Sequence, residues 1–229
     1  MILRDLLSLF FPNVCAVCGQ PLVGDEHDLC SHCLLQLPEA LNAEADDNLI
    51  ERRFRGRLPY QAVTALLLFT RGNKTQRIIH QIKYYGHQQL AVAMGRQLGL
   101  RLAANPRFAD VDLLIPVPLH RRKQRRRGYN QSLLICQGIA QTFPRPIVAD
   151  NLRRTRFTRS QTHMNRQQRL DNMSGVFSLD DPAALQGRHL LLVDDVVTTG
   201  ATTEACCQAL LKAPATRVSI AALAISGDT

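Results

Sequence analysis

Residues 190–203, LLLVDDVVTTGATT, constrain the fold of this chain more than any other stretch. The opening run 190–193 is apolar and uninterrupted, the pattern of a strand buried on both faces of a parallel sheet. Asp194 and Asp195 follow at its carboxyl end, where open α/β sheets place their ligands. Thr198, Thr199, Gly200, Ala201 and Thr202 are small and lead into a helix expected from about Thr203. Their N–H groups and hydroxyls form a cup in which a phosphate can rest on amides and helix dipole together, and Gly200 lets the backbone come close. Neither G-x-x-x-x-G-K nor G-x-G-x-x-G occurs here, which excludes a triphosphate P-loop and a dinucleotide fingerprint. Paired carboxylates accept hydrogen bonds from two vicinal hydroxyls, while the cup holds a phosphate one carbon away. A ribose 5-phosphate has that shape.

The 229 residues, 45% of them hydrophobic, can bury one sizeable α/β core with a small unit attached. A net charge of +9 and a pI of 9.6 call for an acidic partner, for which nucleic acid, phosphorylated metabolites and anionic membrane are the candidates. No apolar run is long enough for a transmembrane segment. Residues 1–11 carry Arg4 and Asp5 and lead into a cysteine pair without a small-residue cleavage site, so a cytoplasmic location is expected. Leu3, Leu6, Leu7 and Phe10 place an amphipathic helix there.

Cys15, Cys18, Cys30 and Cys33 form two C-x-x-C pairs, each of which can hold two thiolates on one side of a tight turn. Together they supply a tetrahedral site for structural Zn²⁺. His27 and His32 are substitute ligands, and two disulfides are the alternative, disfavoured in a reducing compartment. The expected organisation is a helix and zinc finger over 1–40, a polar linker over 41–59, and an α/β domain over 60–229. The linker reading rests on a charge reversal, from Glu39, Glu44, Asp46 and Asp47 to Arg52, Arg53, Arg55 and Arg57.

Within the α/β domain the pattern predicts a strand over 62–69, helices over 74–85 and 88–102, and a second apolar strand over 110–117. Strands alternating with helices argue for a parallel sheet. A basic loop is expected after the second strand, where Arg121, Arg122, Lys123, Arg125, Arg126 and Arg127 fall within seven positions. Residues 153–177 lack apolar periodicity and read as a mobile polar flap. Between Leu113 and Leu170 stand thirteen Arg or Lys residues and one acid, Asp150, more cation than one small phosphorylated ligand needs. That surplus points to a single-stranded nucleic acid, contacted by Arg122, Arg125, Arg126 and Arg127, with Tyr129 and Phe157 for stacking.

Residues 190–203 closely resemble the phosphoribosyl-diphosphate (PRPP) motif of type I phosphoribosyltransferases. The resemblance implies Asp194 and Asp195 on the ribose hydroxyls, with Val197, Thr198, Thr199, Gly200, Ala201 and Thr202 around the 5-phosphate. It also implies a pyrophosphate loop over 117–122, with Pro118, Leu119, His120 and Arg121 as contacts beside Lys83. Nearly the whole chain resembles the ComF/GntX family: the four cysteines, Lys83 with Tyr84, the run from I-P-V-P-L-H to R-G-Y-N-Q, residues 161–177, and VDDVVTTGAT.

That family implies a four-cysteine finger, a phosphoribosyltransferase-like α/β domain, and PRPP bound with Mg²⁺. It further implies a role in uptake and use of DNA, with protein partners in the uptake machinery. Asp194, Asp195 and Arg127 are the catalytic candidates if the protein transfers ribose 5-phosphate to a nitrogenous acceptor. Thr198 stands where oxopurine-salvage enzymes carry an aspartate, which weighs against purine salvage. A binding protein, a PRPP sensor and a transferase all remain open at this point.

Overall fold

The computed structural model of the chain describes residues 13–40, 48–155 and 175–227. The expected amino-terminal helix lies outside them, as do residues 156–174 of the expected flap and Phe157 within it. After the first two short helices, α1 (Ser31–Leu35) and α2 (Leu49–Arg52), come β1 (Val63–Phe69), α3 (Lys74–Tyr84), α4 (Gln88–Ala104) and β2 (Leu113–Pro116). The chain continues through α5 (Arg121–Arg127), α6 (Gln131–Thr142), β3 (Leu152–Arg154), β4 (Phe177–Leu179), β5 (His189–Val197), α7 (Ala201–Leu210) and β6 (Arg217–Ser226). Among the described residues no helix is long and apolar enough to cross a membrane.

Four strands make one parallel sheet in the order β1-β6-β5-β2, as the strand and helix alternation predicts. Alternation along β5 sends Leu191 and Val193 to a face covered by α3, α4 and α6. Leu190 and Leu192 go to the other face, against Cys206, Cys207 and Leu210 of α7. Burial on both faces is why the run is apolar throughout. The ladder from β5 to β6 continues past the expected end at Val193, through Asp194↔Ala222 to Val197↔Ile225. The two acids therefore sit in regular strand, and the following helix opens at Ala201, two residues before the expected start.

On the first face α4 and α6 pack backbone to backbone. A Cβ on Gly138 would lie 2.1 Å from the Val92 carbonyl oxygen, and one on Gly95 2.3 Å from that of Ile135. The side chains of Asn73 and Asn130 cap the starts of α3 and α6 by accepting from Gln76 N and Ser132 N.

Two stretches depart from expectation. The basic run is helix α5, not a loop. Arginine and lysine are good helix formers, and their charge at the carboxyl end suits the dipole. The His120 side chain caps the start, and Gly128 closes the end in the left-handed region at φ 84°. The stretch expected as a polar linker carries Ile50, Phe54 and Leu58, all buried against the second face. Two of its charges are paired across the fold, Arg57 with Glu204 and Glu51 with Arg107.

Candidate functional site

The carboxyl end of the sheet opens into a cleft of about 390 Å³. Asp194 and Asp195 lie at its floor, only 8% and 9% exposed. Lys83, in the last turn of α3, holds Asp195 at 2.9 Å. Asp194 accepts from the Asp195 backbone N–H at 2.8 Å, and Ser132 at the start of α6 lines the cleft with it. Burial, followed by the charge of Asp195, pushes the Asp194 carboxyl up to about 7, against the opposing pull of Lys83. Without a ligand the diacid thus carries a carboxyl that titrates near neutrality.

The cup lies beside the acids. Gly200 is in the left-handed region at φ 80°, and the α7 that it starts has no side-chain cap, so no capping side chain competes for its first-turn amides. A Cβ at Gly200 would lie 2.7 Å from the Phe54 ring. Two arginines flanking that ring take the carbonyl side of the turn: Arg53 donates to Thr198 O, and Arg57 to Thr199 O at 3.1 Å. Arg53 also reaches Ser226 O at 2.8 Å, and Arg57 pairs with Glu204. The segment ahead of β1 thereby braces the cup from behind.

Of the residues singled out in the sequence, Lys83, Pro118, Leu119, Arg127, Asp194, Asp195, Thr198 and Thr202 line the cleft. Val197, Thr199, Gly200 and Ala201 belong to the strand end and turn behind it. His120 caps α5, its Nδ1 accepting from Arg122 N at 3.2 Å. Helical spacing turns Lys123 and Arg127 toward the cleft and leaves Arg121, Arg122, Arg125 and Arg126 exposed. Tyr129 is partly buried and donates its hydroxyl to Ile82 O at 2.5 Å, so its hydroxyl edge is fixed against α3.

Sequence reasoning named Lys123 only as part of the basic run and missed Gln131, Ser132 and Arg154, and all four line the cleft. Lys123 lies one turn before Arg127, and that spacing was a usable signal once the run is known to be helical. Burial, then Arg154 and Arg127, lower the Lys123 pKa. Arg154 reaches the site from β3, where burial lowers its pKa against the opposing pull of Cys206 and Asp194. Gln131 is 1% exposed, and its Nε2 has no hydrogen-bond partner among the described residues; neither has the buried Nε of Arg127. Its Oε1 accepts from Arg127 Nη1 at 2.8 Å. Buried donors left without acceptors are uncommon, and two of them on one cleft wall fit a site that takes acceptor oxygens from a ligand.

The metal centre is separate. Ligand atoms of Cys15, Cys18, Cys30 and Cys33 lie within 4.8 Å of one another, and Cys18 Sγ is 3.7 Å from Cys30 Sγ. A tetrahedron with Zn–S bonds of about 2.3 Å has edges of about 3.8 Å, so four thiolates here fit Zn²⁺ with no open position. His27 and His32 are not in the cluster. The cysteines are not disulfide-bonded. This geometry supports a structural zinc.

Residues 6–45 match the double zinc ribbon domain family, and residues 130–228 match the phosphoribosyl transferase domain family. The chain is 31% identical over 220 residues to the DNA utilization protein YhgH of Escherichia coli O157:H7, covering 95% of this chain and 92% of that one. It is 31% identical over 129 residues to competence protein F of Haemophilus influenzae, covering 55% and 56%. It is 23% identical over 210 residues to competence protein ComFC of Bacillus subtilis, covering 91% and 76%. A four-cysteine ribbon, a parallel sheet ending in paired acids and an amide cup, and relatives named for DNA utilization and competence together place this chain in the ComF/GntX family.

Proposed function

We propose that the cleft binds PRPP with Mg²⁺ and that the protein serves the uptake or use of DNA, contacting single-stranded DNA through the exposed face of α5. The observation that carries the ligand is the charge arrangement of the cleft. Two buried carboxylates suited to a ribose diol stand between an uncapped helix start and a wall of Lys123, Arg127 and Arg154, with the unpartnered donors of Gln131 and Arg127 on that wall. One phosphate at the cup and a diphosphate at the wall satisfy both ends. A lone nucleoside monophosphate leaves the wall unanswered. Carboxylate and hydroxyl oxygens are the donors Mg²⁺ prefers, and the ion would enter with the diphosphate and balance its charge. The names of the relatives, for DNA utilization and competence, support the DNA-related role.

Calorimetric titration with PRPP and Mg²⁺ tests the ligand. Asp194→Asn combined with Asp195→Asn removes two charge-assisted contacts of about 1.5–3 kcal/mol each, so affinity should fall at least ~100-fold while the protein stays folded. Equal binding by both proteins overturns the assignment. Transfer of ribose 5-phosphate to a nitrogenous acceptor is the second reading. What favours it is the same cleft, which holds sugar and leaving group in fixed relation beside Arg127. Release of pyrophosphate from PRPP in the presence of nucleotides or single-stranded DNA would establish it.

A further inference from the structure

We propose that Tyr84 and Tyr85 form a stacking platform for the bases of single-stranded nucleic acid at the mouth of the cleft; this rests on the nucleic-acid part of the reading above. The two residues are consecutive at the carboxyl end of α3, directly after Lys83, and are 60% and 70% exposed, with Tyr84 on the cleft lining. Two consecutive and largely exposed aromatic side chains are unusual for a folded surface and typical of one that takes a planar partner. Tyr84 is held ready: the Arg127 guanidinium lies 5.5 Å over its ring, and the His80 ring stands edge-on at 5.5 Å. Arg127 ends α5, so Tyr84 adjoins the basic helix directly.

Sequence-tolerant binding of single strands combines cations that follow the phosphates with aromatic rings that stack the bases, each base contributing a gain equivalent to roughly 5- to 150-fold in affinity. Arg121, Arg122, Arg125 and Arg126 are exposed on α5 and supply the first element. Tyr84 and Tyr85 supply the second, in place of Tyr129, whose hydroxyl is committed to the Ile82 carbonyl. The deoxyribose of DNA has no 2′-hydroxyl and so cannot offer the paired acids a diol. The strand therefore runs over the cleft mouth and does not compete for its floor.

The sequence provides its own optical probe, because the chain has four tyrosines and no tryptophan. Tyr60 and Tyr129 are partly buried with their hydroxyls on Glu51 O and Ile82 O, which leaves Tyr84 and Tyr85 to report. The full chain is titrated with oligothymidylate longer than ~16 nucleotides, and with an abasic oligonucleotide of equal length. Oligothymidylate should quench tyrosine emission and the abasic strand should not. By anisotropy of labelled strands, Tyr84→Ala with Tyr85→Ala should weaken oligothymidylate binding about 10-fold or more and leave abasic binding and its salt dependence unchanged. Tyr84→Phe with Tyr85→Phe should restore affinity, since the π face is kept. Unchanged oligothymidylate affinity in the alanine variant, or equal losses for both strands, overturns the platform while leaving DNA binding in place. Failure of the native protein to bind either strand overturns the platform and the nucleic-acid reading together.

Discussion

Asp194 is the residue where fold and ligand make opposite demands. Its carboxyl titrates near 7 because burial and then Asp195 oppose its ionised form, whereas an unfolded chain would have it near 3.8. A group whose pKa is raised on folding favours the fold fully below its unfolded value and loses that contribution as pH rises through the folded one. At pH 8 the native protein therefore carries an ionised buried acid, at a cost on the order of 4 kcal/mol. Asp194→Asn removes that cost and keeps the oxygen that accepts from the Asp195 N–H. Urea unfolding without ligand should show the variant more stable than the native protein at pH 8 and little different at pH 4. Equal or lower stability at pH 8 would mean that the carboxylate is adequately solvated. The same titration links to the proposed ligand, since a diol and Mg²⁺ favour the ionised acid. PRPP affinity should rise with pH up to about 7 and then level off, with proton release on binding below that point.

Elements were legible in proportion to how far their pattern is local. Residues 190–193 announce a buried strand by an unbroken apolar run, and 62–69 by a run interrupted only at Thr64. The basic run was misjudged because charge density was weighed above helix propensity and the caps His120 and Gly128. Residues 48–58 were misjudged for a similar reason: three apolar side chains among many charges anchor the segment, and the burial of Phe54 depends on Gly200, about 150 positions away in sequence. Of the site, the acids and the cup could be read locally and Lys83 through the family resemblance, while Gln131, Ser132 and Arg154 reach the cleft only through the tertiary fold. The close packing of α4 on α6 was likewise invisible, because Gly95, Gly99 and Gly138 resemble ordinary helix glycines. Gly138→Ala would gain helix propensity of about 1 kcal/mol, but its methyl would meet the Val92 carbonyl and the Gly95 Cα. Forcing the helices apart costs about 1–3 kcal/mol and outweighs the gain. Thermal unfolding should show net destabilisation by Gly138→Ala. A stabilised variant would mean that the two helices can separate at no cost.

At the scale of the whole molecule, the zinc ribbon is continuous with the core rather than appended to it. Cys15, Val17, Leu29, Cys30 and Cys33 belong to the same buried cluster as Ile78, Ile82, Leu90 and Met94 of α3 and α4. Arg77 donates to Val17 O at 3.2 Å, and Lys74 to Gln36 Oε1 at 2.7 Å, both from α3. The helix that presents Lys83 to Asp195 thus rests on the ribbon along its first half. A four-thiolate site holds its loops together through the metal, and binding free energy there is folding free energy. Purified protein should contain one zinc per chain. Stripping it with a chelator under reducing conditions should lower the unfolding temperature of the entire chain in a single transition, not melt a small unit while the sheet persists. Loss of even ~3 kcal/mol would lower the midpoint by roughly 6–12 °C for a chain of this length. Calorimetry with and without the metal decides the matter. A midpoint for the sheet that does not respond to zinc removal would show that the contacts from Arg77 and Lys74 transmit no stability, and that the ribbon stands energetically apart from the helix it touches.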